Sequence, residues 1–152
     1  MLSRRGFIVG AAGLVLTGAR GSWTSAGLVT PIRVYKSRSC RCCAKWVDHV
    51  SANGFDPTVH DEEEMDQLKD EIGVPQPVRS CHTALVGAYL IEGHVPAADI
   101  RRLLAERPKI AGLAVPGMPA GTPGMAEPGQ KLGGYEVVAF QVDGSTRLFA
   151  SH

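Results

Sequence analysis

Short strand patterns and helical patterns alternate along the first half of the chain. Residues 32–35 form a β-prone run, and apolar side chains then recur at helical spacing over residues 43–50. Residues 55–60 predict a second strand, and Pro57 places that strand at a sheet edge. A second helix opens with the acidic run at 61–64, where the helix dipole favours negative charge. Its predicted buried stripe consists of Met65, Leu68 and Ile72.

Two hairpins are predicted in the second half. Residues 83–86 and 89–91 are strand-like and flank a short turn. Residues 135–142 and 146–150 flank Asp143-Gly144, which is a strong two-residue turn signal.

Between the two hairpins the pattern predicts a third helix and a long loop. The helix covers residues 97–107 and turns Ile100, Leu103 and Leu104 inward. Residues 111–134 are rich in Gly and Pro and are predicted to be irregular.

The resulting order is β-α-β-α-β-β-α, followed by the loop and one more hairpin. Helices interleaved with short strands predict a single α/β domain. A strand followed by a C-x-x-C motif at a helix start is the thioredoxin pattern. The sequence therefore predicts a thioredoxin-like α/β fold with a central mixed sheet, flanking helices and an extra C-terminal hairpin.

The first 26 residues have the pattern of an export signal. Arg4 and Arg5 precede an apolar run at 7–16 that is too short for a comfortable membrane span, and SRRGF resembles a twin-arginine signal. We therefore predict a signal peptide over 1–26 and a mature domain over 27–152, periplasmic and without stable membrane association after cleavage. An uncleaved anchor, a chance arginine pair and export by the general route remain alternatives.

Charge excludes one class of partner. The chain has 16 Lys and Arg and 15 Asp and Glu residues, and three of the arginines lie in the predicted signal. The mature domain would be weakly acidic, without the basic footprint that nucleic-acid binding requires.

Cys40 and Cys43 have C-x-x-C spacing at a predicted helix N-terminus. Free amides and the helix dipole there lower a thiol pKa and favour the thiolate. Because disulfide exchange and metal binding both need thiolate, these two cysteines alone do not choose between the two functions.

Cys42 favours a metal site. A third thiol within the motif offers a competing disulfide partner, whereas soft thiolates select Cu(I) and Zn and can bridge two ions. Cys81 and His82 stand where many thioredoxin-like proteins have a cis-proline beside the active site, and they supply two more candidate ligands. Two plain disulfides remain the structural alternative, since the export compartment allows them.

The remaining candidate ligands are a histidine and two methionines. His94 lies in a turn before the third helix, and a solvated turn histidine is its alternative role. Met118 and Met125 lie in VPGMPAGTPGM, and their thioethers suit Cu(I), although methionine more commonly fills gaps in a core. His49, His60 and His152 are predicted to lie outside the site.

Four motifs occur in order and resemble the CopG-type copper-resistance proteins, long catalogued as a domain of unknown function. They are CRCC within RVYKSRSCRCCAKWVDHV, SCHTA, EGHVPA and the PGMP loop, and the resemblance covers residues 31–152.

The resemblance implies a thioredoxin-like periplasmic protein for copper resistance. In such a protein Cys40, Cys42, Cys43 and Cys81 would hold a small multinuclear Cu(I) cluster, with His82, His94, Met118 and Met125 as further ligands. The cluster could cycle between Cu(I) and Cu(II), which leaves open whether the protein is a copper oxidoreductase. Other periplasmic copper-handling proteins or efflux components are the implied partners.

Two alternatives to the copper protein stay open at this point. One is an exported thiol-disulfide oxidoreductase that uses Cys40 and Cys43. The other is a zinc-stabilised module, which the residue spacing alone does not exclude.

Overall fold

A computed structural model describes residues 29–152 of the protein. It contains seven strands, three α-helices and a short 3-10 helix. The strands are β1 (Thr30–Lys36), β2 (Phe55–Asp61), β3 (His82–Val86), β4 (Tyr89–Glu92), β5 (Gly112–Ala114), β6 (Glu136–Phe140) and β7 (Thr146–Ser151). The helices are α1 (Arg41–Ala52), α2 (Met65–Ile72) and α3 (Ala97–Glu106), with the 3-10 helix at Gln76–Val78.

All seven strands form one mixed sheet in the order β2-β1-β3-β4-β5-β6-β7. β1 runs parallel to β2, and β3 is antiparallel to both of its neighbours, β1 and β4. Apart from the 3-10 helix, the first seven elements follow the predicted β-α-β-α-β-β-α order. The thioredoxin-like α/β prediction is therefore confirmed, and the predicted C-terminal hairpin is β6 with β7.

The sheet separates two apolar layers. Trp46 and Val50 of α1 and Ile100 and Leu103 of α3 pack on one face, in the larger core cluster. The opposite face is covered by a smaller cluster of Val74, Val78, Ala114 and Phe140. Because side chains of a strand point alternately to the two faces, consecutive residues of β3 and β4 serve different layers.

Three details differ from the sequence prediction. The acidic run at 61–64 precedes α2 instead of opening it, since β2 continues through Asp61 and α2 begins at Met65. The stretch 111–134 is not irregular throughout, because Gly112–Ala114 pairs in parallel with β4 and antiparallel with β6. A side chain on Gly112 would collide with the Leu90 backbone and the Phe140 ring, so only glycine fits this close approach. In α2, the predicted stripe is only half-buried, and the buried side chain is Lys69.

Within residues 29–152, no helix has the length and hydrophobicity required to cross a bilayer. The predicted signal over 1–26 lies outside the described residues.

Candidate metal centre

Three cysteines meet at the first turn of α1. Cys40 is the N-cap residue, and no side chain caps the helix start. Cys40 and Cys43 form a disulfide with a Cα–Cα distance of 5.4 Å, and the Cys42 sulfur lies 3.5 Å from that of Cys40. All three sulfur atoms therefore lie at the positive end of the helix dipole, which favours thiolate once the disulfide is reduced.

Cys81 approaches these cysteines from the sheet. It immediately precedes β3, which pairs with β1, and β1 leads into the Cys40 turn. Its carbonyl oxygen lies 3.8 Å from the sulfur of Cys43. The sulfur atoms of Cys40, Cys42, Cys43 and Cys81 all lie within 4.8 Å of one another. Strand pairing therefore brings together cysteines that are 38 residues apart in sequence.

Two buried imidazoles face the sulfur of Cys81. The Nδ1 atom of His82 lies 3.3 Å from it and the Nε2 atom of His94 lies 3.2 Å from it. Both histidines are 0% exposed, so the solvated-turn alternative for His94 is wrong. Cys81, His82 and His94 form a second group of donor atoms within 4.8 Å of one another, and Cys81 belongs to both groups.

Hydrogen bonds fix the orientation of His94. Its Nδ1 lies 2.7 Å from the carbonyl oxygen of Pro123, and because that oxygen can only accept, Nδ1 carries the proton. In the neutral ring Nε2 then keeps its lone pair and directs it at Cys81. The indole of Trp46 donates to the carbonyl of Val95 at 2.9 Å and so anchors the chain next to His94.

His82 is packed but incompletely satisfied. Its ring lies 4.4 Å from the Trp46 ring and 5.1 Å from the His94 ring, measured between centroids. Its Nε2 atom is buried and has no hydrogen-bond partner among the residues described. A buried ring nitrogen without a partner costs free energy in the folded protein, which is more typical of a functional site than of a core.

Burial shifts the pKa values of the three groups toward their neutral forms. Burial and then the neighbouring Cys42 raise the pKa of Cys81 to about 12. Burial lowers the pKa of His94, and burial followed by the charges of His94 and Lys69 lowers that of His82 well below its ordinary value. Both imidazoles are therefore neutral, as metal binding requires, and a metal must displace the Cys81 proton.

The donor set fits a soft metal ion better than two disulfides. All four cysteines lie within the described residues, and only Cys40 and Cys43 are joined, so the alternative of two plain disulfides is wrong. Cys42 and Cys81 are free and half-buried. Four sulfur atoms with two neutral imidazoles beside one of them match the ligands preferred by Cu(I) and zinc.

The Gly/Pro-rich loop closes over α1 and His94. The backbone of Gly124 lies so close to α1 that an added Cβ would be 2.8 Å from the backbone nitrogen of Trp46 and 3.0 Å from the carbonyl oxygen of Cys42. Met125 lines an open depression of about 480 Å³ together with Cys42. Met118 is 57% exposed and does not line this depression. The structure thus brings Met125, but not Met118, to the entrance beside Cys42.

A buried ion pair near the site was missed by the sequence prediction. Lys69 of α2 pairs with Glu92 at the end of β4, and Thr83 donates to the same carboxylate at 2.6 Å. Lys69 lies between Leu68 and Ile72 in the apolar stripe of α2, and this position was the only indication in the sequence that its side chain is buried. Nothing local to Glu92 distinguishes it from an exposed strand-end acid.

The remaining histidines lie elsewhere, as predicted. His49 accepts a hydrogen bond from the backbone N–H of Ala97 at 3.1 Å, at the start of α3. His60 is exposed and stacks on Tyr35. The Nε2 atom of His152, directly after β7, lies 2.7 Å from a carboxylate oxygen of Asp99.

One family model and two solved structures are similar to this chain. A family model described as a protein of unknown function, DUF411, matches residues 78–125, which contain Cys81, His82, His94 and both loop methionines. Two solved structures, copper resistance protein CopG Form 1 and Form 2, are similar to this chain with a TM-score of 0.74 each. Both are 41% identical over 81% of this chain, and they are covered to 97% and 98% of their own length. No curated protein matches the chain.

Proposed function

Because this chain belongs to the CopG family of copper resistance proteins, we propose that it is a periplasmic protein that binds excess copper on its cysteines. The observation that carries the proposal is the approach of four sulfur atoms to within 4.8 Å of one another. A single tetrahedral zinc ion would use four ligands, whereas four thiolates with His82 and His94 exceed that number. The surplus of soft donors favours several sulfur-bridged Cu(I) ions.

Each donor has a distinct role in this proposal. Cys40, Cys42 and Cys43 supply bridging thiolates from one helix turn, and Cys81 links them to the imidazoles of His82 and His94. Met125 is placed at the entrance beside Cys42, where a thioether can pass Cu(I) inward. Met118 is the more exposed of the two and would act only in transfer from another copper-handling protein.

Reduction must come before full loading. In the disulfide neither Cys40 nor Cys43 is a thiolate, so only Cys42 and Cys81 can bind as thiolates. Two electrons and two protons convert the disulfide into two thiols, and a thiol or phosphine reductant can supply the electrons. If bound Cu(I) is the donor instead, two ions each give up one electron and become Cu(II). Cycling of the metal between these two states is therefore part of the proposal.

Elemental analysis of protein from copper-fed cells tests the assignment. The chain is purified without oxygen from the periplasmic fraction, and its copper, zinc and free thiols are counted together. We expect more than one copper per chain and little zinc. One zinc per chain with no copper would instead indicate a structural zinc module, which a chelator should unfold.

A second function has one observation in its favour. The Cys40–Cys43 disulfide lies at a helix start, as in a thiol-disulfide oxidoreductase. Such an enzyme must keep its insulin-reducing turnover when Cys42 and Cys81 are both replaced by serine. Turnover that disappears in that double variant would exclude simple exchange through Cys40 and Cys43.

A further inference from the structure

A charged pair lies on the sheet face opposite His82. His82 and Ala84 point to the α1 side of β3, while Thr83 between them points to the α2 side. On that second side the ammonium of Lys69 and the carboxylate of Glu92 form an ion pair, with exposures of 2% and 0%. Neither charge is among the candidate metal ligands.

Every hydrogen bond of the pair leads to the segment that carries Cys81. Lys69 donates to the Ser80 carbonyl oxygen at 2.6 Å, and the Ser80 N–H donates to Glu92 at 2.6 Å. The two peptide units that flank Ser80 are therefore both held by the pair. Thr83 donates to the other carboxylate oxygen at 2.6 Å, on the far side of Cys81 and His82.

The Gly/Pro-rich loop and the residue that follows β4 also contact Ser80. The Ser80 hydroxyl donates to the carbonyl oxygen of Gly117, which precedes Met118. A Cβ on Gly93 would lie 2.5 Å from the Ser80 hydroxyl oxygen, and the φ of +71° at Gly93 also favours glycine. Ser80 is thus fixed from α2, from β4 and from the loop.

Stability alone does not account for this arrangement. Removing two charges from water costs about as much as their mutual attraction returns, so apolar side chains of similar volume commonly serve a core equally well. What apolar side chains cannot supply is directional hydrogen bonding to both peptide units of Ser80. Fixed orientation of the next residue, Cys81, is the distinctive result.

We propose that Lys69 and Glu92 are positioning residues of the metal site, which hold the Ser80 peptide units so that Cys81 points at the other sulfur atoms and at His94. This inference rests on the proposed copper-binding function. The pair does not touch the metal and acts only through Cys81. Mutation of groups that orient metal ligands in this way commonly lowers metal affinity by about 10- to 100-fold.

A double-mutant cycle tests the inference. Cu(I) affinity of the reduced full chain is measured by competition with a chromophoric Cu(I) chelator, for Lys69→Met alone and combined with Cys81→Ser or Cys42→Ser. We expect Lys69→Met to weaken affinity about 10- to 100-fold in the wild type and, for the Cu(I) that Cys42→Ser still binds, in that background as well. With Cys81→Ser already present, the further change should stay within about twofold.

Two additional variants keep the test decisive. Leu103→Ala removes core packing beneath α3 and serves as the control for lost stability, with affinity unchanged. Lys69→Met leaves Glu92 without its cation, so Lys69→Met/Glu92→Gln, which contains no unpaired charge, replaces it if the single variant does not fold. The same three comparisons and the same limits then apply.

The outcomes separate the two proposals. Wild-type protein that binds no Cu(I) overturns the copper-binding function and this inference with it. Wild-type protein that binds Cu(I), with Lys69→Met binding equally well, overturns the inference alone. Equal weakening with and without Cys81 also overturns it, because the pair would then act on the whole fold.

Discussion

The Cys81 sulfur lies 3.2 Å from Nε2 of His94, whose other ring nitrogen donates to the Pro123 carbonyl oxygen. This contact joins three separate parts of the chain: the start of β3, the turn before α3, and the Gly/Pro-rich loop. The hydrogen bond to Pro123 sets the tautomer, which directs the Nε2 lone pair of His94 at Cys81. His94 is therefore the residue through which loop position and metal binding are coupled.

Replacing His94 tests this coupling. His94→Ala removes both the imidazole donor and the bond to Pro123, so we expect Cu(I) affinity to fall about 10- to 100-fold. The loop should also become more sensitive to proteolysis. Competition with a Cu(I) chelator and limited proteolysis measure the two effects. His60→Ala, an exposed histidine on β2, is the control and should change neither.

The fit of Gly124 against α1 is testable with an equivalent glycine. Gly124 and Gly129 have φ values of +86° and +85°, so alanine at either position costs about 1–2 kcal/mol in backbone strain. Only at Gly124 does the added Cβ meet Trp46, Cys42 and His94. We expect Gly124→Ala to cost about 1–3 kcal/mol more than Gly129→Ala in free energy of unfolding. Equal losses in chemical denaturation would contradict the packing described for the loop.

Oxidation state should control copper uptake. Protein that keeps the Cys40–Cys43 disulfide has two free thiols, and reduction doubles that number. We expect the reduced protein to bind more Cu(I) than the disulfide form, with the difference removed in Cys40→Ser/Cys43→Ser. Anaerobic titration with a parallel thiol count measures this. Equal copper uptake by both forms would show that Cys40 and Cys43 are not ligands.

Acid should destabilise the metal-free fold through His49. Burial, and then the charge of Arg101, lower the pKa of His49 below its ordinary 6.5. As pH falls below 6.5 the unfolded chain takes up a proton first, so the free energy of unfolding decreases until the lower folded pKa is passed. The stability contributed by neutral His49 is thus present above 6.5 and lost below it.

The variant His49→Gln isolates this contribution. Glutamine can still accept from the Ala97 N–H but does not titrate. Between about pH 7 and about pH 5 the unfolding free energy should fall less steeply with decreasing pH in His49→Gln than in the wild type. The difference between the two slopes should correspond to the uptake of up to about one proton on unfolding. A His49→Gln slope equal to that of the wild type would show that protonation of His49 does not drive the loss.

The sequence was sufficient to predict the cysteine cluster because its geometry is local or follows from strand order. Cys40, Cys42 and Cys43 share one helix turn, and the thioredoxin-like order places Cys81 at the neighbouring strand. The approach of Cys81 to the other sulfur atoms thus required only the order of elements, without any side-chain detail.

The features that the sequence did not predict depend on contacts between residues far apart in the chain. His94 is buried because Trp46 holds Val95 and the loop covers the ring, and neither contact has a local signature. β5 has only three residues inside a Gly/Pro-rich stretch, too few for a recognisable period. The role of Lys69 depends on its partner Glu92, 23 residues away, which only the folded sheet identifies.

The central claim, that four sulfur atoms form one soft-metal site, is tested most directly by anaerobic Cu(I) titration of the reduced protein and of Cys42→Ser. Cys42 takes no part in the disulfide, so its loss leaves the C-x-x-C pair intact. We predict that the wild type binds several Cu(I) ions per chain in one cooperative step, and that Cys42→Ser loses most of them together. Unchanged copper stoichiometry in Cys42→Ser, or no binding by the wild type, would contradict the account.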